Sequence, residues 1–324
     1  MFRDDDNRPI AKSTTINVLI AHGGLGDLIC TIPALNQLVT TQHWINPLIW
    51  VPDYMLEFTK HFLPKGTIIR DYTQAKKKFD DTLIGVSTKW LPQRTAMRTH
   101  PVDYAYQCLL DKVPYDQNER SYPRIRASEI NLDKFQLPTK YVVIVATAAE
   151  VVKTMPEDTM NQIIDHVKAK GYEVIFVGQE KIDNGLGVRD IPKPLINLDK
   201  GLNLVNKTSL LELAAVMDGS ALVIGMDGGP IHIAGFTAAK IVCGYTFASP
   251  DHLMPIREGV PGWDVYPVTP DSDLKCSFCQ TNWSLMYGHD FRSCYYGPND
   301  YSCVKMMTFD KFKVEIDKVL CEPV

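Results

Sequence analysis

An α/β protein of two Rossmann-like halves, each a parallel sheet with covering helices, is what this sequence predicts, on three observations. The chain has 324 residues, more than one hydrophobic core usually serves. Short apolar runs alternate with segments of helical period, the pattern of parallel sheets. The alternation breaks at a polar, proline-marked passage and then starts again.

In the first half, INVLI at 16–20 reads as a buried strand, glycines at 23–26 as a turn, and 28–38 as a helix. LIWV at 48–51 gives a second strand, followed by a helical stretch to Phe62. TLIGV at 82–86 and a helix-like run at 102–110 complete this half. The passage 114–138, carrying Asp116, Asn118, Glu119, Arg120 and Arg124, reads as a linker or irregular excursion.

Beyond it come YVVIVA at 141–146, a helix at 157–168, EVIFVG ending at Gly178, a helix at 209–217 and ALVIGM at 221–226. A helix at 309–320 closes the chain, and in a two-lobed protein such a helix is expected to pack back on the first lobe. The domains drawn on this basis are 1–135 on the acceptor side, 136–305 for the nucleotide, and a closing segment at 306–324.

Apolar residues at 45% and charged residues at 22% exclude extended disorder. A net charge of -4 supplies no global basic field to draw the chain onto nucleic acid or an anionic membrane. Asp4, Asp5 and Asp6 open the sequence without an apolar run, and no stretch of about 18 unbroken apolar residues follows, so the reading expects a cytoplasmic protein with no transmembrane segment.

Gly23, Gly24 and Gly26 let a backbone or ligand approach closely between a strand and a helix. The G-x-G-x-x-G spacing and its distant acidic partner are missing, which disfavours a nicotinamide dehydrogenase. Asp27 then reads either as a helix cap or as a general base for an acceptor hydroxyl. Asp227, Gly228, Gly229, Pro230 and His232 join another strand to another helix, a tight turn or a diphosphate cradle. Lys153 follows the strand that opens the second half, where a lysine balances diphosphate charge.

Taken together the segments resemble glycosyltransferase family 9, the heptosyltransferases of bacterial lipopolysaccharide synthesis. The resemblance rests on GGLGDLICTIPAL at 23–35, VVKTMPEDTMNQII at 151–164, NKTSLLELAAVM at 206–217 and IGMDGGPIHIAG at 224–235, in that order, with HPVDYAYQCLL at 100–110 as a further element. It implies the GT-B fold of two facing Rossmann-like domains with a C-terminal closing helix, and an inverting transfer from a nucleoside-diphosphate sugar to a saccharide or glycolipid hydroxyl. By it Asp27 corresponds to the base, Lys153 to the donor-phosphate lysine, and Asp227, Gly228, Gly229 and His232 to the donor turn. Lys207 and Thr208 become further phosphate candidates, and Gly23, Gly24 and Gly26 the acceptor-side loop. No cofactor is required, because enzymes of this fold hold the leaving diphosphate with helix dipoles and basic side chains. Gly228, Asn206 and Met155 depart from the family's serine or threonine, glycine and tryptophan, which leaves room for a sugar other than heptose, and the polar passage 114–138 and the cysteine tail leave room for a different acceptor.

Of eight cysteines, expected to be reduced, four lie in one segment: Cys276, Cys279, Cys294 and Cys303. The first pair has metal-like spacing and the second is too wide for a zinc ribbon, so the readings are a structural zinc or no metal. Two rival functions stand beside the main one. The acceptor of the same chemistry is a hydroxymethylated base in DNA, for which basic clusters at 76–78 and 94–98 speak, or the chain is a non-catalytic nucleotide-binding or redox-sensing module.

Overall fold

A computed structural model of the chain describes residues 14–20, 25–41, 45–71, 83–86, 100–110, 120, 122–183, 188–190, 197–257, 260–281, 294 and 300–320. The first half supplies β1 (Thr14–Ile20), β2 (Ile45–Val51), β3 (Ile68–Asp71) and β4 (Leu83–Val86), all parallel, in the order β3-β2-β1-β4. The second half supplies β5 (Tyr141–Val145) and β6 (Glu173–Val177), a small antiparallel pair of β7 (Lys181–Asp183) and β8 (Val188–Asp190), then β9 (Leu202–Asn203), β10 (Leu222–Met226) and β11 (Lys240–Gly244). A second antiparallel pair, β12 (Ile256–Arg257) with β13 (Val260–Pro261), precedes β14 (Val265–Val268). Its main sheet is parallel in the order β14-β11-β10-β5-β6-β9.

Covering a parallel sheet on both faces demands strands apolar at every position, as in β5 and β10, whose five residues are all buried. Sequence reasoning found those strands and passed over β3, β11 and β14. In β3 an edge position leaves Ile68 half exposed, so the strand lacks the continuous apolar signature.

The stretch read as one helix at 28–38 is two, α1 (Leu25–Ile29) and α2 (Ile32–Thr41). Pro33 explains the break: it has no N–H for the carbonyl four residues back, and its ring crowds that carbonyl. Thr31 Oγ1 donates instead to the Leu28 carbonyl at 2.6 Å. The other helices used below are α3 (Leu56–Phe62), α4 (Pro101–Leu110), α5 (Glu157–Ala169), α6 (Leu210–Asp218), α7 (Gly229–Ala234) and α8 (Phe309–Leu320). Ser209 starts α6 through a capping box: its Oγ accepts from the Glu212 amide at 3.2 Å, while the Glu212 carboxylate accepts from the Ser209 amide at 2.8 Å.

One apolar cluster runs through both halves, from Ile29, Leu35, Phe58 and Phe62 to Ile231, Ile233 and Phe236. The Phe62 and Phe236 rings stand 4.8 Å apart, and Phe58 meets Phe236 edge to face. His100 adds a polar stitch: its Nδ1 accepts from the Val102 amide at the start of α4, so Nε2–H donates across to the Met254 carbonyl at 2.9 Å. The polar passage between the halves is tied down where it is described. Its Ile125 amide donates to the Phe236 carbonyl and its Arg126 amide to His61 Nε2, one contact in each half.

Helix α8 corrects one expectation. Its buried stripe of Phe312, Ile316 and Val319 faces the second sheet, against α5, β11 and β14, instead of crossing to the first lobe. Asp317 fixes the docking through His166 of α5 and Lys170 just beyond its end, each at 2.8 Å. The apolar face is consumed by the lobe that carries it. Replacing the fully buried Phe312 with alanine should therefore cost about 3–5 kcal/mol in denaturant unfolding, and a loss below about 1 kcal/mol would contradict this docking.

Candidate functional site

The residues singled out by sequence lie at the carboxyl ends of the central strands, where open α/β sheets collect ligands. Lys153 ends the short 3-10 turn Val151–Lys153 beyond β5, and Asp227 follows β10 directly. Their side chains meet, Nζ to Oδ2 at 2.6 Å, although 74 positions separate them. Asp227 is 5% exposed and Lys153 24%. Burial pulls the Lys153 pKa down, but the charge and hydrogen bond of Asp227, with Asp27 adding, outweigh it and raise the lysine above its ordinary value. The pair is an ammonium facing a carboxylate, with the carboxylate held from behind by its own amide's bond to the Gly244 carbonyl at 2.9 Å.

Asp27 reaches this place from the other lobe. It sits in the first turn of α1, partly exposed, and its charge helps to raise the pKa of Lys153 and of the buried thiol Cys30. What brings it there is the packing of α1 on α7, which touch with almost nothing between them. A methyl group on Gly26 would lie 2.7 Å from Cδ2 of His232, and one on Gly229 would lie 2.8 Å from Leu25. Gly228 is different: its surroundings leave a Cβ free to about 3.8 Å and its backbone is extended, so packing does not force the missing serine or threonine.

His232 lies in α7, the helix that starts at the Gly228 turn, and its ring is buried. It is 7% exposed, with its ring against Gly26, Nδ1 3.6 Å from Cys30 Sγ and Nε2 3.7 Å from Asp227 Oδ1, an oxygen buried without a hydrogen-bond partner. Burial, opposed by Asp227 and helped by His100 and Lys153, lowers its pKa to about 4, so the ring is neutral at neutral pH. Lys207 and Thr208 lie on the loop from β9 to α6. There Lys207 donates to the Asn203 carbonyl, and Asn206 takes a left-handed backbone that its amide side chain tolerates in place of glycine. Its amide donates to the Gly178 carbonyl at 3.0 Å, at the end of β6. Gly23 and Gly24 lie outside the described residues. Sequence reasoning missed Cys30, Cys243 and Tyr245, whose buried side chains border Asp227 electrostatically. They sit in apolar runs that look like ordinary core.

Cys276, Cys279, Cys294 and Cys303 form no disulfide among the described residues and lie near enough to influence one another. Burial first and the neighbouring thiols second push Cys279 up to about 11 and Cys303 up to about 12. Among the described residues no three His, Cys, Asp or Glu side chains converge as a metal cage. The segment leans on the site: the Gln280 amide donates to the Phe247 carbonyl at 3.0 Å, and Cys279 and Tyr301 pack on the cluster of Phe247 with Val152, the neighbour of Lys153. No helix among the described residues is long and apolar enough to cross a membrane.

Residues 93–272 match the model of a family described as glycosyltransferase family 9 (heptosyltransferase). Lipopolysaccharide heptosyltransferase 3 of Escherichia coli K12 is 30% identical over 127 residues, which is 38% of this chain and 35% of that protein. The same enzyme from another Escherichia coli source is 29% identical over 139 residues, 42% of this chain. The chain thus matches about two fifths or less of these relatives' length. Among solved structures, the iron-containing dodecameric glycosyltransferase TibC of enterotoxigenic E. coli H10407 superposes with a TM-score of 0.70 at 16% identity, over 96% of this chain and 77% of that one. The family 9 glycosyltransferase of Veillonella parvula gives 0.61 at 14% identity, over 97% and 99%. E. coli heptosyltransferase WaaC with ADP gives 0.54 at 14%, over 94% and 99%. At these identities the likeness establishes the fold, GT-B with two Rossmann-like lobes.

The neutral state of His232 has a pH consequence. In the unfolded chain this histidine takes its proton near the ordinary 6.5, and in the folded protein only near 4, so folding loses stability as pH falls through that window. His61 and His100 are lowered as well and act in the same direction. His232→Gln should therefore shrink, without abolishing, the drop in urea midpoint between pH 7 and pH 5. An undiminished drop would show that His232 is not the buried neutral group described.

Proposed function

The chain belongs to glycosyltransferase family 9, and from that premise we propose that it transfers a sugar from a nucleoside-diphosphate sugar to an acceptor hydroxyl, with inversion at the sugar carbon. The observation that carries the proposal is the meeting of Asp27 from one lobe with the Lys153–Asp227 pair of the other. A TibC structure holds ADP-D-beta-D-heptose and a WaaC structure holds ADP, which supports an adenosine diphosphate sugar as donor here. The heptosyltransferase 3 relatives support a saccharide or glycolipid acceptor, and a nucleotide-sugar donor supports work in the cytoplasm.

In this reading Lys153 is the group that meets the diphosphate. Its charge is kept on by Asp227, so it is always a cation when donor arrives. The diphosphate leaves with a growing negative charge, and a fixed ammonium beside it stabilises the transition state more than the ground state. The turn at Gly228 leaves space for a donor oxygen that a side chain would otherwise occupy. Asp27 accepts the proton of the acceptor hydroxyl as its oxygen bonds to the sugar carbon and the carbon to diphosphate bond breaks.

Cys276, Cys279, Cys294 and Cys303 are soft donors of the type that suits zinc or iron, and TibC is described as iron-containing, but as placed here no three of them converge as a cage, so a bound ion would require them to close up. We assign such an ion, if bound, to holding the 276–303 segment in place and route no step of transfer through it. Metal analysis of the purified protein, with Cys276→Ser and Cys279→Ser as controls, decides this. A full complement of protein without zinc or iron removes the assignment.

Asp27→Ala should lower transfer by at least about 100-fold, the scale of a lost general base, while the rise in melting temperature caused by ADP is unchanged. Near-normal turnover would exclude Asp27 as the base. A wild-type protein stabilised by no nucleoside diphosphate or nucleotide sugar would overturn the function itself.

A further inference from the structure

Arg257, in β12, is 4% exposed, and among the described residues no carboxylate pairs with it. Its Nη2 donates to the Ala234 carbonyl at 2.6 Å and to the Ala239 carbonyl at 2.7 Å, which ties the end of α7 to the turn before β11. Those two bonds use one corner of the guanidinium. Nε is buried with no hydrogen-bond partner, and no bond reaches Nη1 among the described residues. A buried N–H left without an acceptor costs about as much as a lost hydrogen bond, so an arginine placed this way calls for a partner. Burial lowers its pKa to about 10, opposed by Asp264 and Asp218 and helped by Arg124, so it stays a cation at neutral pH. Asp218 is engaged elsewhere, its Oδ1 accepting from the Ala238 amide at 2.8 Å. Arg257 lines a narrow pocket together with Pro33, Tyr122, Arg124 and Phe236. Three parts of the chain meet there: α2 of the first lobe, the passage between the lobes, and the second lobe. No Asp or Glu is among the residues that line it, and both of its charged side chains are arginines.

We propose that this pocket is a second anion site, which takes one phosphate group between Arg257 and Arg124 and is separate from the lysine that meets the donor. Two guanidinium groups close enough to oppose each other's charge are reconciled by an anion between them, and two cations match the dianion of a phosphate group. The apolar walls of Pro33 and Phe236 keep water from weakening that attraction. The narrowness of the pocket suits a single small group and leaves no room for a nucleotide. Helix α7 stands between the two sites: the Gly228 turn begins it on the donor side, and Arg257 holds the Ala234 carbonyl at its other end. The outer wall is already fixed, since the Ile125 amide, next to Arg124, donates to the Phe236 carbonyl at 2.8 Å. A phosphate group bound there would draw the passage between the lobes onto the second lobe beside α2, and so favour the closed arrangement. Inorganic phosphate and a phosphate carried on a saccharide share this chemistry. The site stands whether or not the chain transfers a sugar.

The test is calorimetric titration of the full chain with inorganic phosphate at constant low ionic strength, alone and with saturating ADP. One saturable site should appear and should survive ADP. Arg124→Gln, at an exposed position, should weaken phosphate about tenfold, the scale of one charge-assisted hydrogen bond, and leave ADP affinity within about twofold. Arg257→Gln should abolish phosphate binding, and Arg124→Gln decides alone if that variant does not fold. Lys153→Ala should keep the phosphate site. Glucose 6-phosphate distinguishes the sources: binding tighter than inorganic phosphate, and weakened by Arg124→Gln, assigns a group carried on a saccharide, and equal affinity assigns the free ion. Absence of a saturable phosphate site would overturn the proposal, as would binding untouched by Arg124→Gln. Phosphate displaced by ADP or lost in Lys153→Ala would place the anion at the donor lysine and overturn it too. If the wild-type protein binds no ADP, the transfer reading fails, and the phosphate titrations of wild type, Arg124→Gln and Lys153→Ala still decide the second site.

Discussion

Two short helices from different lobes touch where two glycines have no side chain, and the rest of the site depends on that contact. With Gly26 under the His232 ring and Gly229 under Leu25, α1 and α7 pack as closely as two backbones with one interposed ring allow. A β-carbon at either position would collide with a group that the surrounding core fixes, and interiors of this density do not yield cheaply. The glycines are therefore a geometric requirement of the closed arrangement, and the phosphate-loop reading is only part of their meaning. The shared apolar cluster through Phe58, Phe62 and Phe236 supplies the attraction, and the glycines supply the fit.

The same contact sets the electrostatics. Closing the lobes buries His232 and Asp227, and each needs compensation. Asp227 finds it in Lys153, and His232 by staying neutral between a thiol and a carboxylate. The charged pair is left at the edge of the buried zone, with Lys153 a quarter exposed and able to meet a polyanion. Asp27, on the other helix, shares its field. A carboxylate and a cation held by separate lobes and coupled through one packed contact are the arrangement that the proposed displacement of a diphosphate by a hydroxyl needs.

Much of this was legible in the sequence because it was written in simple alphabets. Fully buried parallel strands leave unbroken apolar runs, so β5, β6 and β10 stood out, and the Ser209 to Glu212 spacing marks the start of α6. The edge strand β3, with its mixture of exposed and buried positions, carries no such run. The break at Pro33 follows from ring chemistry that the helical period obscured. The Asp227 and Lys153 motifs were found by their place after strands. Their union as an ion pair across 74 positions was not, because sequence spacing carries no distance. His232 is the instructive case: a motif placed it with the donor turn, and the fold adds that its buried ring also touches Gly26 and Cys30 of the opposite lobe. Helix α8 erred in a related way, since its apolar stripe told that it docks but not on which lobe.

The central claim is that the glycine-mediated contact places Asp27 and Lys153 on opposite sides of one reacting carbon. A crystal structure of the protein with an unreactive fluorinated nucleotide-sugar analogue tests it directly. The account predicts the diphosphate against Lys153, with the Asp27 carboxylate within a hydrogen bond or one water, about 3 Å per contact, of a hydroxyl approaching the far face of the sugar carbon. Diphosphate bound away from Lys153, or Asp27 facing away from the sugar with α1 still packed on α7, would contradict it.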